Sequence, residues 1–179
     1  DGFRIPTTLT DMGNGVFTGC RSLTAFTLAG PNENFSIDDA GVLFNGDGSE
    51  LISYPSDRAA TSYRVPAVSS IRFEGLAGAG NLASVTFDPA ATLTALPERA
   101  FEDSGLTSIA IPPTVSTIGE RAFRETPMTT ITIPATVTHF DKEAFDYARQ
   151  LDSVRFLGNA PSFENDIFAR TPLSTIYYN

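Results

Sequence analysis

Two stretches decide the fold: Leu106-Thr107-Ser108-Ile109-Ala110-Ile111-Pro112 and Met128-Thr129-Thr130-Ile131-Thr132-Ile133-Pro134, which align without a gap. The match continues past each proline, with Val115, Ile118, Ala122 and Phe123 answered by Val137, Phe140, Ala144 and Phe145. A leading apolar residue opens each copy, and apolar residues follow three and five positions later. The same frame picks out Leu23, Phe26, Leu28; Leu82, Val85, Phe87; Leu151, Val154, Phe156; and Leu173, Ile176, Tyr178.

From residue 82 onward the leading residues stand at 82, 106, 128, 151 and 173, so the steps are 24, 22, 23 and 22. Steps of roughly 20–29 residues belong to leucine-rich repeats. The small variation has a local source, because the distance from each repeat's Phe to the next leading residue is either five or six. The five-residue links carry Gly105, Pro127 and Pro172, residues suited to a tighter turn.

Within each block the closing apolar residues are separated by one small or polar residue, as in Ile109-Ala110-Ile111, a period-two spacing that predicts a short strand. Pro112 and Pro134 end the strand. Stacked coils bring such strands into a parallel sheet whose neighbours satisfy one another's backbone groups. The later part of each repeat, Ile118-Gly119-Glu120-Arg121-Ala122-Phe123, reads as a turn that returns Ile118 and Phe123 to the core. One repeat cannot bury its own apolar face, so stability must come from burial between neighbours. The fold class expected is a leucine-rich-repeat solenoid, mainly β with short turns, built as one domain over residues 1–179.

One stretch breaks the period. Between Leu28 and Tyr63 the frame lapses, and two apolar runs flank Asn45-Gly46-Asp47-Gly48. Asn-Gly and Asp-Gly supply the positive φ of tight hairpin turns, so a β-hairpin insert is expected at about residues 35–55. The solenoid resumes at Val65-Pro66, with Val68, Ile71 and Leu76 in the places that Val115, Ile118 and Phe123 hold later.

Residues 111–123, Ile-Pro, then Val115, then Ile118-Gly119, then Ala122-Phe123, resemble the repeat of BspA-like leucine-rich-repeat proteins. Gly41-Val42-Leu43-Phe44, turning back into Leu51-Ile52-Ser53-Tyr54-Pro55, resembles a recurring interruption in that family, and Asn159-Ala160-Pro161 another of its variants. Leu28-Ala29 and Phe156-Leu157 lack the Ile-Pro pair, and Arg72 stands where Gly119 stands later. The resemblance implies a bacterial cell-surface or secreted protein with a role in adhesion to host proteins or other cells. It implies no particular ligand.

Composition narrows the partner. Twelve Lys and Arg against 21 Asp and Glu give a net charge of -9, which disfavours nucleic acid and anionic membranes. No apolar run approaches the roughly 18 residues of a membrane span. Cys20 is the only cysteine, so no intrachain disulfide can form. It is expected to pack at the end of its turn as a small apolar group. Both ends cut into the repeat pattern, at Ile5-Pro6 and Tyr178-Asn179, which suggests a piece of a longer chain.

His139 is the only histidine; it alternates with core positions, is expected to face solvent, and has no nucleophile marked beside it in sequence. Glu98, Glu102, Asp103, Glu120, Glu125, Asp141, Glu143 and Asp146 flank the Ala-Phe turns and read as a solvated edge more readily than as an acidic docking strip. Asp38, Asp39, Asn45, Asp47 and Glu50 do not fit the spaced loop that wraps calcium in EF-hands. No catalytic constellation, cofactor or metal is therefore expected.

What remains is the residue between the two inward strand positions, which faces outward. Thr27, Thr86, Ala110, Thr132, Arg155 and Tyr177 form this row, with Ala25, Ser84, Ser108, Thr130, Ser153 and Thr175 beside it. Such residues suit any solvated strand, but Arg and Tyr are hot-spot types. Thr86, Ala110, Thr132, Arg155 and Tyr177 are the candidate binding face for a host or neighbouring-cell protein or glycan, with the chain acting as a monomer. The rival expectation is a structural spacer that binds nothing itself.

Overall fold

The computed structural model describes residues 1–178 and is a β-solenoid of about eight coils. Asn179, part of the expected truncated end, lies outside the described residues. Each coil contributes one strand to a front row: β1 (Gly2–Ile5), β2 (Ala25–Leu28), β6 (Ser62–Val65), β8 (Ser84–Phe87), β10 (Ser108–Ile109), β12 (Thr130–Ile133), β14 (Ser153–Phe156) and β16 (Thr175–Tyr178). All pairings in this row are parallel, and equivalent residues stand side by side, as in Thr132↔Arg155↔Tyr177.

A second row of short strands stands where the sequence predicts only a turn. Strands β7 (Ser70–Ile71), β9 (Ala95–Leu96), β11 (Thr117–Ile118), β13 (His139–Phe140) and β15 (Ser162–Phe163) occupy it, and the last four form a parallel sheet in register. Ile71, Leu96, Ile118 and Phe140 point from it into the core.

The front row is not continuous. Strand β10 ends at Ile109, short of the expected Ile111, and β10 and β12 fall in separate sheets. Proline removes one rung at each of these steps. In other coils the residue after the strand donates to the coil before, as Asp88 does to Val65 at 2.8 Å and Leu157 to Ile133 at 2.9 Å. Pro112 and Pro134 have no amide to give.

Turns on the third side carry the Ala-Phe pairs and form a ladder of their own. Phe101 N donates to Ala122 O at 2.9 Å, Phe123 N to Ala144 O at 2.8 Å, and Phe145 N to Ile167 O at 2.9 Å. Each turn has two left-handed residues four apart: 15 and 19, 74 and 78, 99 and 103, 121 and 125, 143 and 147, 166 and 170. Most are not glycine. The side chains of Phe101, Phe123, Phe145 and Phe168 stack inside these turns at 5.5, 5.1 and 5.4 Å, nearly parallel. The five-residue link at Gly105 is explained by close approach, since a Cβ there would sit 2.2 Å from the carbonyl oxygen of Gly80.

The insert is larger than a hairpin. Strands β3 (Phe35–Ile37), β4 (Leu43–Asn45) and β5 (Glu50–Ser53) form an antiparallel meander, and β5 then pairs parallel with β7 in the second row. Gly48 has the expected positive φ of 74°, whereas Gly46 does not and is needed for space: a Cβ would lie 1.8 Å from Glu33 O. Side chains alternate across the meander. Val42, Phe44 and Leu51 join the main core, which runs to Ile167, while Leu43 and Ile52 join a smaller cluster around Ile5, Leu23, Phe26 and Phe35. The meander is thus a wall buried on both faces.

After β5 the chain takes a shortcut. Tyr54-Pro55-Ser56-Asp57 runs directly toward β6, with Tyr54 N on Gly75 O at 2.7 Å and Asp57 N on Leu23 O at 2.8 Å. The second coil therefore has no Ala-Phe turn, and the turns at 14–19 and 73–78 face each other across its place.

Candidate binding site

Thr86, Ala110, Thr132, Arg155 and Tyr177 all lie on the exposed side of the front row. The structure gathers Thr132, Arg155 and Tyr177 on one unbroken panel and separates them from Thr86 and Ala110 at the β10–β12 break. Tyr177 is 54% exposed, with Ile176 and Tyr178 also open beside it.

The row expected from the sequence, Thr27, Thr86, Ala110, Thr132, Arg155 and Tyr177, is incomplete, because Arg4 and Arg64 also stand on it. Arg4 pairs in register with Thr27, and Arg64 with Thr86. Both escaped the sequence frame, Arg4 because its coil shows no leading Leu and Arg64 because the insert precedes it. The pattern Tyr63-Arg64-Val65 was the available signal. Arg64 is held by Asp88 at 3.0 Å, and Arg4 by the carbonyl of Ala29 at 3.2 Å.

The acids of the turns are not a free strip. Arg99 meets Glu74 at 3.1 Å and Glu102 at 3.3 Å, Arg124 meets Glu102 at 2.7 Å, and Arg121 meets Glu143 at 2.5 Å. Asp146 is only 1% exposed and takes both nitrogens of Arg170, at 2.9 and 2.8 Å. These carboxylates hold the Arg121 and Arg170 guanidiniums above their ordinary range. Cationic groups from three coils, Arg124, Arg149 and Arg170, also stand 4.1–5.2 Å from the ring centre of Tyr147. Stacking of coils built this network, and a linear reading of single acids could not show it.

His139 is half exposed. The parallel register places Ser162 beside it, Oγ 2.7 Å from Nδ1, with Asp141 Oδ1 2.9 Å from Nε2. The hydroxyl beside His139 belongs to Ser162, one coil away in the chain yet adjacent in space, so the sequence around His139 does not display it. Ser162 Oγ also lies 3.0 Å from Thr138 O, and Glu164 Oε1 lies 4.0 Å from Nε2.

In the meander the acids serve the fold. Asp38 accepts from the amides of Ala40 and Val42 and from the buried hydroxyl of Tyr63 at 2.6 Å. Burial, reinforced by Asp38, pushes Tyr63 far up. Asn45 accepts from Glu50 N, and Glu50 meets Arg72 at 2.5 Å. Asp47 is held below the ordinary carboxylate range by the hydroxyl and then the amide of Ser49.

One concavity lies at the missing turn. It has a volume of about 270 Å³, with Phe17, Leu23, Ile52, Tyr54 and Phe73 among its walls and Arg72, Glu74 and Arg99 among its polar groups. Arg72 reaches across to the carbonyl of Met12 at 2.9 Å. Burial raises the Tyr54 hydroxyl above its usual range. Cys20, also in this wall, is exposed, contrary to expectation. Its counterparts Ser104, Thr126 and Ala148 are at most 4% exposed because a neighbouring turn covers them.

A family model described as BspA type leucine-rich repeat region matches residues 1–41 and 69–179 in six copies. The unmatched residues 42–68 hold β4, β5 and the shortcut. No curated protein matches the chain. Among solved structures, a leucine-rich cell surface protein from Faecalibacterium prausnitzii is 24% identical with a TM-score of 0.87, over 99% of this chain and 47% of that one. The pneumococcal vaccine antigen PcpA is 24% identical with a TM-score of 0.86, over 99% of this chain and 44% of that one. A leucine-rich repeat protein from Bacteroides ovatus is 18% identical with a TM-score of 0.57, over 99% of this chain and 55% of that one. This chain thus spans about half the length of these proteins, and the likeness is one of fold.

Proposed function

The chain belongs to the BspA-type leucine-rich-repeat family, and on that premise we propose that it is a non-catalytic binding module of a bacterial cell-surface or secreted protein. It engages a host or neighbouring-cell protein or glycan through the front row of strands. The observation that carries this reading is the panel of Thr132, Arg155 and Tyr177, which stand in direct register on one fully laddered sheet. A ladder on both sides of Arg155 fixes the backbone, so little ordering cost falls on binding. Arg and Tyr supply bidentate hydrogen bonding and an amphipathic ring, the side chains enriched in hot spots. The description of one structural neighbour as a cell surface protein and of another as a vaccine antigen supports an exposed location.

The test is a screen of the chain against arrays of extracellular host proteins and glycans, followed by the double change Arg155→Ala, Tyr177→Ala on whatever binds. Affinity should fall at least tenfold, about 1.4 kcal/mol, with the melting temperature preserved, because both side chains are exposed. Unchanged affinity in the folded double variant rejects this face. Absence of any ligand across such arrays favours the spacer.

A further inference from the structure

We propose that the cavity left by the missing turn of the second coil is a binding site for one turn of polypeptide from a partner, seated with an aromatic side chain inward. Three observations converge on it. The first is exposure. Val16 is 54% exposed, whereas its counterparts Ala100, Ala122 and Ala144 are completely buried and Ile167 is 5% exposed. Val16 has no turn packed on either side, whereas Ala100, Ala122 and Ala144 have one on both sides and Ile167 has the turn of the sixth coil on one.

The second observation is the main chain. In the regular array the first, third and fifth donors of each turn point to the next coil: Glu74, Leu76 and Gly78 donate to Glu98, Ala100 and Glu102. The equivalent amides of Gly15, Phe17 and Gly19 have no acceptor among the described residues. On the facing wall the carbonyls of Phe73 and Ala77 have no donor among them, while Gly75 between takes Tyr54. One wall offers donors and the other acceptors. Backbone groups in this state seek partners, and a polypeptide main chain complements both walls at once.

The third observation is size and charge. A volume of about 270 Å³ is near the lower end of the roughly 300–1,000 Å³ of small-ligand sites, right for a side chain and its flanking backbone. Phe17 and Phe73 provide an aromatic floor where the Phe stack of the later coils is interrupted. The charges around the opening are already paired, as Arg99 with Glu74, Arg72 with Glu50 and Arg21 with Asp103 at 2.9 Å. Neither an anion nor a metal ion finds an excess of opposite charge there.

The experiment uses the array's own turn as the probe. An amide-capped peptide of sequence Glu-Arg-Ala-Phe-Glu-Asp-Ser, that of residues 98–104, is titrated into isotope-labelled protein and backbone amide resonances are followed. Saturable shifts centred on Gly15, Phe17 and Gly19 are expected, at least tenfold weaker when the peptide's Phe is replaced by Ala. Val16→Glu, an exposed position, should keep the melting temperature and weaken the peptide at least tenfold. Arg155→Ala should leave the titration unchanged, which separates this site from the sheet face. Shifts centred elsewhere, no saturable shift up to the solubility of the peptide, or full affinity in the Val16→Glu protein overturns the proposal. So would shifts of the same amides by lactosamine or galactose oligomers and not by the peptide.

Discussion

Ala100 and Val16 occupy one position of the repeat, yet the first is completely buried and the second more than half exposed. The same contrast separates Ser104 from Cys20, and the stacked Phe123 from Phe17, whose ring is only half-buried and meets Phe26 edge-on at 4.7 Å. In each pair the side chains are comparable and the neighbour differs. The turns of coils four to six are each covered by the next, while the first coil looks onto a coil whose turn was replaced by Tyr54-Pro55. Burial in a solenoid is therefore a property of adjacent coils, not of the repeat sequence itself.

The largest expected effect tests that statement directly. Phe123→Ala should destabilise by about 3–5 kcal/mol, because the ring lies between two parallel rings and neither coil can close the gap. Phe17→Ala should cost only about 1–2 kcal/mol, since one side of its ring already faces the cavity. Urea midpoints of the two variants would settle the comparison. Equal losses would show that the first coil is packed as tightly as the central ones.

A second pair sharpens the contrast for charge. Asp146 and Asp103 flank turns in the same way, but Asp146 is 1% exposed under Arg124 and Arg170, whereas the side chains of Arg21 and Asp103 are 80% and 48% exposed. Asp146→Ala should cost about 2–3 kcal/mol, as the fixed charge and its bidentate partner are lost from a covered site. Arg21→Ala, which breaks the exposed pair without touching the left-handed Asp103, should cost about 0.5 kcal/mol or less, and 1 M salt should erase even that. A salt-sensitive loss at Asp146 would mean that water reaches the pair and that the turns do not seal it.

How far the sequence carried the fold follows from the same logic. Apolar spacing located Leu106, Ile118, Phe123 and their counterparts in the core, because periodicity reports which side chains face inward. It missed Arg4 and Arg64 on the candidate face, where a degenerate frame hid strands that pairing reveals. Ser162 beside His139, and Asp146 between its arginines, were illegible for a different reason. Each contact joins residues 22–24 apart, and the repeat step alone does not say which polar side chains reach across. The cavity was hidden most deeply: it is created by residues 42–68 departing from the pattern, so the signal was an absence of a turn and not a motif. Cys20, expected to pack at the end of its turn, is exposed for that reason.

The smallest effect concerns backbone strain at the two ends of the turn ladder. The first turn places Gly15 at φ 66°, while the turn of the seventh coil places Asp166 at φ 60°. A left-handed conformation costs an L residue roughly 1–2 kcal/mol, less for Asp, whereas glycine adopts it freely and loses more entropy on folding. Gly15→Ala should therefore destabilise by about 1–2 kcal/mol, since an added Cβ would also stand 3.0 Å from Thr18 Oγ1 and 3.5 Å from the ring of Phe73. Asp166→Gly should change stability in the opposite direction, by about 0.5 kcal/mol, because the relieved strain slightly exceeds the added entropy of the unfolded chain. Asp166 is exposed, so no packing is lost with its side chain. Thermal melting of both variants measures the difference. A loss of stability in Asp166→Gly would show that the ladder, through Glu143 N on Asn165 O at 3.1 Å and its neighbours, holds the left-handed residue without net strain. The nine non-glycine residues with positive φ would then be imposed by stacking, and the glycines of the first turn would answer to its uncovered side.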